Sequence, residues 1–196
     1  MATKTDERFF DVLRALAAFC VVCAHSAQVN ILSGLPYIFS EVLNYLGTMG
    51  VPVFFLISGF LFAYNKKTLT EFWKGKAKTI VLPWFFCATV VWLYVVLRKG
   101  GISFSNWLLF VLGYGHSTYY LTVLMALYLI FWKRTQTWFL CAMISVSVLS
   151  LLLTAWVVEP LYDGMFAQYN YLNVLNWLGY FAVGLLINKS NFLPQL

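Results

Sequence analysis

A succession of apolar stretches, most of them as long as a lipid bilayer is thick, limits what this chain can fold into. Six are marked by hydropathy, at Phe9–Leu32, Ile38–Tyr64, Thr79–Leu97, Ser117–Trp132, Trp138–Val158 and Tyr171–Asn188. Crossing the hydrocarbon core takes about 17–25 residues, so the fourth is short. An apolar piece, Asn106–Leu112, precedes it and reads as a re-entrant or interfacial half-helix. Hydrophobic residues make up 62% of the chain and charged residues only 10%, where a soluble domain carries about 25% charge. The expected fold is all-α: a polytopic membrane helix bundle of six spans, forming a single transmembrane domain over residues 1–196. The lipid bilayer is its first partner.

The net charge of +6 does not point to nucleic acid, because cytoplasmic loops of membrane proteins collect Lys and Arg. Lys4, Arg8 and Arg14 precede or begin the first span. Lys66, Lys67, Lys74, Lys76 and Lys78 fill the segment after the second, Lys133 and Arg134 follow the fourth, and Lys189 follows the sixth. Only Arg98 and Lys99 fall on the other side, so eleven of the thirteen basic residues share one side. That asymmetry places both termini in the cytoplasm and the loop with Glu159 and Asp163 outside. Asp11 and Arg14 interrupt the first apolar run where a cleavable signal would be clean, so it is expected to remain as a span. Trp and Tyr gather near span ends (Trp73, Trp107, Trp138, Tyr169), as interfacial anchors do. Cys20, Cys23, Cys87 and Cys141 all lie in apolar segments and read as small buried apolar residues. Helical spacing spreads Cys20, Cys23 and His25 around the helix, so no metal site is expected.

Within the first span, Arg14 and His25 are eleven residues apart. Eleven steps return a helix to within about 20° of its starting direction and advance it about 16 Å. The two side chains therefore share one stripe, with Ala18, Val21 and Val22 between them. Asp11 is placed to pair with Arg14. Ionisable groups in a span are costly and mark function, although an arginine reaching for headgroups and a histidine bonding a neighbouring helix would satisfy the same pattern.

The second span carries Gly50-Val51-Pro52-Val53-Phe54-Phe55-Leu56-Ile57-Ser58-Gly59-Phe60. Pro52 removes a backbone donor and kinks the helix, and Ser58-Gly59 permits close helix contact. Ser58 has no base adjacent in sequence, so a bond to its own helix backbone is the simpler role than nucleophile. The segment Lys74-Gly75-Lys76-Ala77-Lys78 reads as a cationic cytoplasmic loop, suited to anionic lipid headgroups or to a phosphate-bearing ligand. His116 and Tyr119 stand at the outer start of the fourth span as further candidates.

Several of these segments, taken in order, resemble the acyltransferase-3 family of integral membrane acyltransferases. Asp11-x-x-Arg14 with His25 matches its first-span pattern, and Phe54-Phe55-Leu56-Ile57-Ser58-Gly59-Phe60 matches its Phe-Phe-x-x-Ser-Gly-Phe signature. Tyr180-Phe181-Ala182-Val183-Gly184 is similar to a later aromatic-to-glycine segment. The chain departs from the family in having Lys76-Ala77-Lys78 for a basic Arg-x-Arg, which loses the bidentate fork, and in matching its His-x-Trp-aromatic-Leu segment only loosely at His116–Leu121. At about 20 residues per span, the resemblance covers about the first six of the roughly ten spans usual in the family, as in a short or truncated member.

The resemblance implies transfer of an acyl group, commonly acetyl, from cytoplasmic acyl-coenzyme A to a hydroxyl of an extracytoplasmic carbohydrate or cell-envelope glycan, in a bacterial inner membrane. Arg14, Lys76 and Lys78 would then hold the donor's phosphates. His25 would act as general base or as a transient acyl carrier. Two other readings stay open: a non-catalytic subunit or transporter-like module that passes an acyl donor or solute, with a partner chain or oligomer supplying the missing spans, and a haem protein using His25 and His116.

Overall fold

The computed structural model describes residues 4–28, 37–100, 103–114, 119–158 and 167–190. All regular structure there is helical, as expected for segments that must satisfy their own backbone in lipid. In chain order the elements are α1 (Lys4–Gln28), α2 (Tyr37–Thr48), α3 (Gly50–Phe62), α4 (Leu69–Lys76), a π-turn (Ala77–Val81), α5 (Leu82–Lys99) and α6 (Phe104–Val111). Then come α7 (Tyr119–Ile130), α8 (Thr137–Leu153), a second π-turn (Thr154–Val158), α9 (Ala167–Leu172), a 3₁₀ turn (Val174–Trp177) and α10 (Leu178–Lys189).

Among the described residues, four helical stretches are long and apolar enough to cross a membrane: Phe9–Ser26, Ile38–Phe62, Leu69–Arg98 and Thr137–Val157. The expected fourth and sixth spans come out shorter. Helix α7 has 12 residues, about 18 Å. The sixth apolar stretch is broken into α9, the 3₁₀ turn and α10, because its asparagine side chains divert backbone and side-chain hydrogen bonds away from a continuous helix. The half-helix expected at 106–112 forms as α6.

The two prolines shape the long helices. Pro52 has no N–H for the Thr48 carbonyl, and its ring crowds that carbonyl. The ladder shifts at Met49, whose N–H reaches Leu46 at 3.3 Å, and this separates α2 from α3. Pro83 disturbs the ladder in the same way ahead of α5. There the Leu82 N–H bonds the carbonyl of Ala77, five residues back, and a π-turn results. The expected basic loop at Lys74–Lys78 is therefore helical: it ends α4 and enters this turn. The 30-residue helix Leu69–Arg98 is about 45 Å long, against a hydrocarbon core of about 30 Å. Glu71, Lys74, Lys76 and Lys78 all lie in its first third, so α4 falls outside the apolar layer and the crossing part begins near Thr79.

The chain packs as two compact units, Met1–Tyr64 with Thr135–Ser145 and Trp177–Leu196, and Asn65–Arg134 with Val146–Asn176. In the first, α3 and α10 cross through reciprocal glycines. A Cβ on Gly59 would collide with the Phe181 carbonyl, and one on Gly184 would collide with the Leu56 carbonyl and come within 2.8 Å of the Phe60 nitrogen. Phe55 and Phe181, both fully buried, fill the space beside the crossing, and Phe55 meets the Trp177 ring at 5.2 Å. Helix α1 lies on α2 and α3 in the same manner. A Cβ on Gly50 would stand 2.7 Å from the Ala17 carbonyl, and one on Gly47 would strike Ala24. Small residues at helix crossings let backbones approach, which is how helices associate where lipid is as apolar as leucine.

In the second unit, Phe72 of α4 is buried against α7. Its ring meets Tyr128 edge-on at 5.1 Å and Trp132 at 5.3 Å. Trp84, Trp92 and Trp107 pack around Ala88, Phe110 and Val111, joining α5 to α6. The Trp107 indole N–H donates to the Thr89 hydroxyl at 3.2 Å.

Candidate functional site

Helix α1 has three kinds of surface. Phe10, Ala17 and Cys23 are buried, and Val12, Leu16, Phe19 and Val22 are exposed. At 100° per residue the Phe10–Ala17 line stands about 140° from the Val12–Leu16–Phe19 line, and Cys23, further along the helix, is buried on the latter's side. Asp11, Arg14, Ala18 and His25 fall within about 60° of one another on the flank between the two. All four are exposed. The stripe expected from spacing is thus an open polar edge beside the packed face. The Arg14 Nη1 donates to Asp11 Oδ1 at 3.1 Å, with the two side chains 47% and 70% exposed. This pair holds the guanidinium at one end while leaving other donors of its fork available, since a guanidinium has five N–H groups. Ala18 keeps the flank low between the arginine and the imidazole.

Chemically, such an edge can anchor an anion at Arg14, pass a slender chain over Ala18, and present a proton acceptor at His25.

The other candidates are placed as follows. Ser58 is half-buried on α3, one residue before the crossing Gly59. The Lys76 ammonium is enclosed by aromatic rings, 4.8 Å from the Tyr128 centroid and 5.4 Å from that of Phe72, and it donates to the Tyr128 hydroxyl at 3.4 Å. It ties α4 to α7 by cation–π attraction. Lys78, two residues on and inside the π-turn, is exposed. The structure places Lys76 and Lys78 in the second unit and Arg14 and His25 in the first. Tyr119 opens α7 with its ring 5.1 Å from that of Tyr171. His116 lies outside the described residues, as do Glu159 and Asp163. Among the cysteines only Cys23 is buried; Cys20 is half-buried and Cys87 and Cys141 are exposed, because their helix faces look outward rather than into a core. Among the described residues no cluster of His, Cys, Asp and Glu suited to a metal ion occurs.

One polar constellation escaped the reading of the sequence. Ser147, Ser150 and Thr154 are buried and lie on one stripe of α8 and its terminal π-turn. They face Asn170, Asn173 and Asn176. Ser147 Oγ donates to the Asn176 carbonyl at 3.0 Å, and Ser150 Oγ donates to Asn176 Oδ1 at 2.6 Å. Asn173 Nδ2 donates to Ser150 Oγ at 3.2 Å and to Asn176 Oδ1 at 3.3 Å. Asn176 Nδ2 donates to Asn170 Oδ1 at 2.6 Å, and Thr154 Oγ1 donates to the same oxygen at 3.4 Å. The signal was there in two matching periods, Ser-x-x-Ser-x-x-x-Thr and Asn-x-x-Asn-x-x-Asn. Neither is informative until the two segments are known to meet.

The described geometry also brings together two of the segments that carried the resemblance. The Phe54–Phe60 signature and the Tyr180–Gly184 segment are the two sides of the α3–α10 crossing. The stripe on α1 lies on the helix packed beside that crossing. No curated protein and no solved structure is significantly similar to the chain. The family profile described as Acyltransferase domain, that of the acyltransferase-3 family, matches residues 7–196 and so runs through both packing units. The chain belongs to the acyltransferase-3 family, as a membrane acyltransferase built of apolar helices.

Proposed function

We propose that this protein moves an acyl group, acetyl in the simplest case, from cytoplasmic acyl-coenzyme A to a hydroxyl of an extracytoplasmic carbohydrate. The observation that carries the proposal is the open edge of α1, with the Asp11-held Arg14 and His25 on one line and Ala18 between. With the N-terminus in the cytoplasm, Arg14 sits at the inner mouth, where a polyanionic donor arrives. His25 lies deeper, about 16 Å along the helix. The order suits a donor whose charge is at one end of a long thin arm and whose thioester is at the other.

At His25 the neutral imidazole takes the proton of the acceptor hydroxyl as its oxygen attacks the thioester carbonyl. The carbon–sulfur bond breaks, the thiolate leaves, and it recovers the proton from the imidazolium. Donor and acceptor then react inside the membrane without the polar donor crossing it. Mass spectrometry of cell-envelope glycans, with the gene present, deleted and restored as Arg14→Ala, tests this reading. Deletion is expected to remove an acetyl increment from one glycan, and Arg14→Ala to restore it poorly at normal protein level. Identical glycan spectra with and without the gene would overturn it.

A further inference from the structure

Helix α4 and the π-turn after it carry two kinds of lysine. Lys76 is turned onto α7, where its ammonium lies 4.8 Å from the Tyr128 centroid and donates to the Tyr128 hydroxyl at 3.4 Å. Lys74 and Lys78 stand two residues to either side, about 160° around the helix from it, and both are exposed. They are four residues apart, so their side chains leave one face about 6 Å apart along the axis. Glu71, the acidic residue of α4, is turned back to the start of the helix. It accepts from the Thr68 N–H at 3.0 Å and from the Thr68 hydroxyl at 2.9 Å. Beside the two lysines the surface is open at Gly75, where a Cβ would meet nothing within 4 Å.

The line of these lysines continues into the membrane. The next residues at the same four-residue interval are Leu82 and Phe86, 62% and 69% exposed. In an α-helix such an interval drifts by about 40° at each step. Here the Leu82 N–H bonds the Ala77 carbonyl, five residues back, and this wider turn offsets part of the drift. Two ammonium groups therefore lead into two exposed apolar side chains. The change falls at Thr79, where the crossing part of the helix begins. A phospholipid has the same order of parts at the same depth, with its phosphate at the boundary and its acyl chains below. A soluble phosphate compound matches the lysines alone. We propose that Lys74, Lys78, Leu82 and Phe86 form a binding site for an anionic phospholipid of the inner leaflet. The headgroup phosphate lies between the two ammonium groups, and an acyl chain runs along Leu82 and Phe86. Each lysine near the surface favours anionic over zwitterionic lipid by about fivefold. The site does not depend on the acyl-transfer reading. Its occupant pins α4 at the headgroup level, and α7 with it through Phe72 and Lys76.

The test is native mass spectrometry of the full chain in detergent micelles, titrated with phosphatidylglycerol or phosphatidylcholine and read as the affinity of the first lipid bound. Phosphatidylglycerol is expected to bind the tighter. Lys74→Gln with Lys78→Gln is expected to weaken it about twentyfold, and Lys74→Gln alone about fivefold. The single variant keeps the test usable if the double one is unstable. Lys66→Gln with Lys67→Gln removes the same charge beyond the Thr68 cap and is expected to leave the affinity within about twofold, since the effect fades over about a Debye length. Coenzyme A, which carries phosphate without glycerolipid chains, is expected not to displace the lipid. Phosphatidylglycerol binding no tighter than phosphatidylcholine overturns the proposal. So does an equal loss in the two double variants, which would mark a response to net charge alone. Displacement by coenzyme A at equal concentration would assign the lysines to a soluble phosphate ligand and overturn it as well.

Discussion

The α3–α10 crossing and the α8 network hold helices together by opposite means. At the crossing, Gly59 and Gly184 remove side chains so that each helix rests on the other's backbone. In the network, Ser147, Ser150, Thr154 and three asparagines instead join two segments through side-chain hydrogen bonds. Both answer the same difficulty, that lipid offers no hydrophobic drive for helix association. The difference lies in tolerance. A glycine crossing has no room to adapt, because carbonyl oxygens occupy the space, whereas a network can lose one bond and keep the rest.

The sharpest way to break this contrast is to enlarge the crossing. Gly59→Val or Gly184→Val forces the two backbones apart and is expected to cost about 3 kcal/mol or more, the upper range for overpacking. The check is thermal unfolding in detergent, followed by loss of the monodisperse size-exclusion peak. Asn176→Leu is expected to cost less, about 1–2 kcal/mol. It leaves the Ser150 hydroxyl, the Asn173 amide and the Asn170 side-chain oxygen with fewer partners, while membrane hydrogen bonds are individually worth only about 0.6 kcal/mol on average. If Asn176→Leu destabilises as much as Gly59→Val, the network is not the more forgiving device.

The smallest effect is expected outside the apolar layer, at the start of α4. There the Thr68 backbone N–H donates to the Glu71 carboxylate at 3.0 Å, and its hydroxyl does so at 2.9 Å. These bonds hold the Glu71 carboxyl below its ordinary range. A lowered folded value stabilises the fold fully above the ordinary carboxyl range, and the contribution is lost as pH falls through the folded value. Thr68→Ala is therefore expected to lower the melting temperature slightly near neutral pH and to lose that difference in acid. A difference that persists unchanged into acid would mean that the carboxylate does not take part in the cap.

What could be read from the residues follows the same division. Helical class, the disturbed hydrogen-bond ladder ahead of Pro52 and the contact role of Gly59 were legible, because each depends on local chemistry that one segment carries alone. The Arg14–His25 stripe was legible for the same reason, since both residues lie on one helix and its period fixes their common flank. The helical state of Lys74–Lys78 was not. A run of lysines resembles a loop, but the Thr68–Glu71 cap starts a helix there and the turn before Pro83 continues it. The motif offers Lys76 for a phosphate, and its contact with Tyr128, 52 residues away in sequence, is not visible in that segment alone. The asparagine network depends on the meeting of α8 with a later segment, and no single-segment period announces that meeting.

The most direct measurement is transfer of labelled acetyl from acetyl-coenzyme A to an envelope-glycan extract by the purified protein in proteoliposomes, comparing the wild type with His25→Ala at equal incorporated protein. Loss of general-base assistance is expected to reduce transfer about a hundredfold or more, with melting temperature unchanged because His25 is exposed on the flank of α1. Transfer by His25→Ala at the wild-type rate would contradict the assignment of His25 as the group that takes the acceptor's proton.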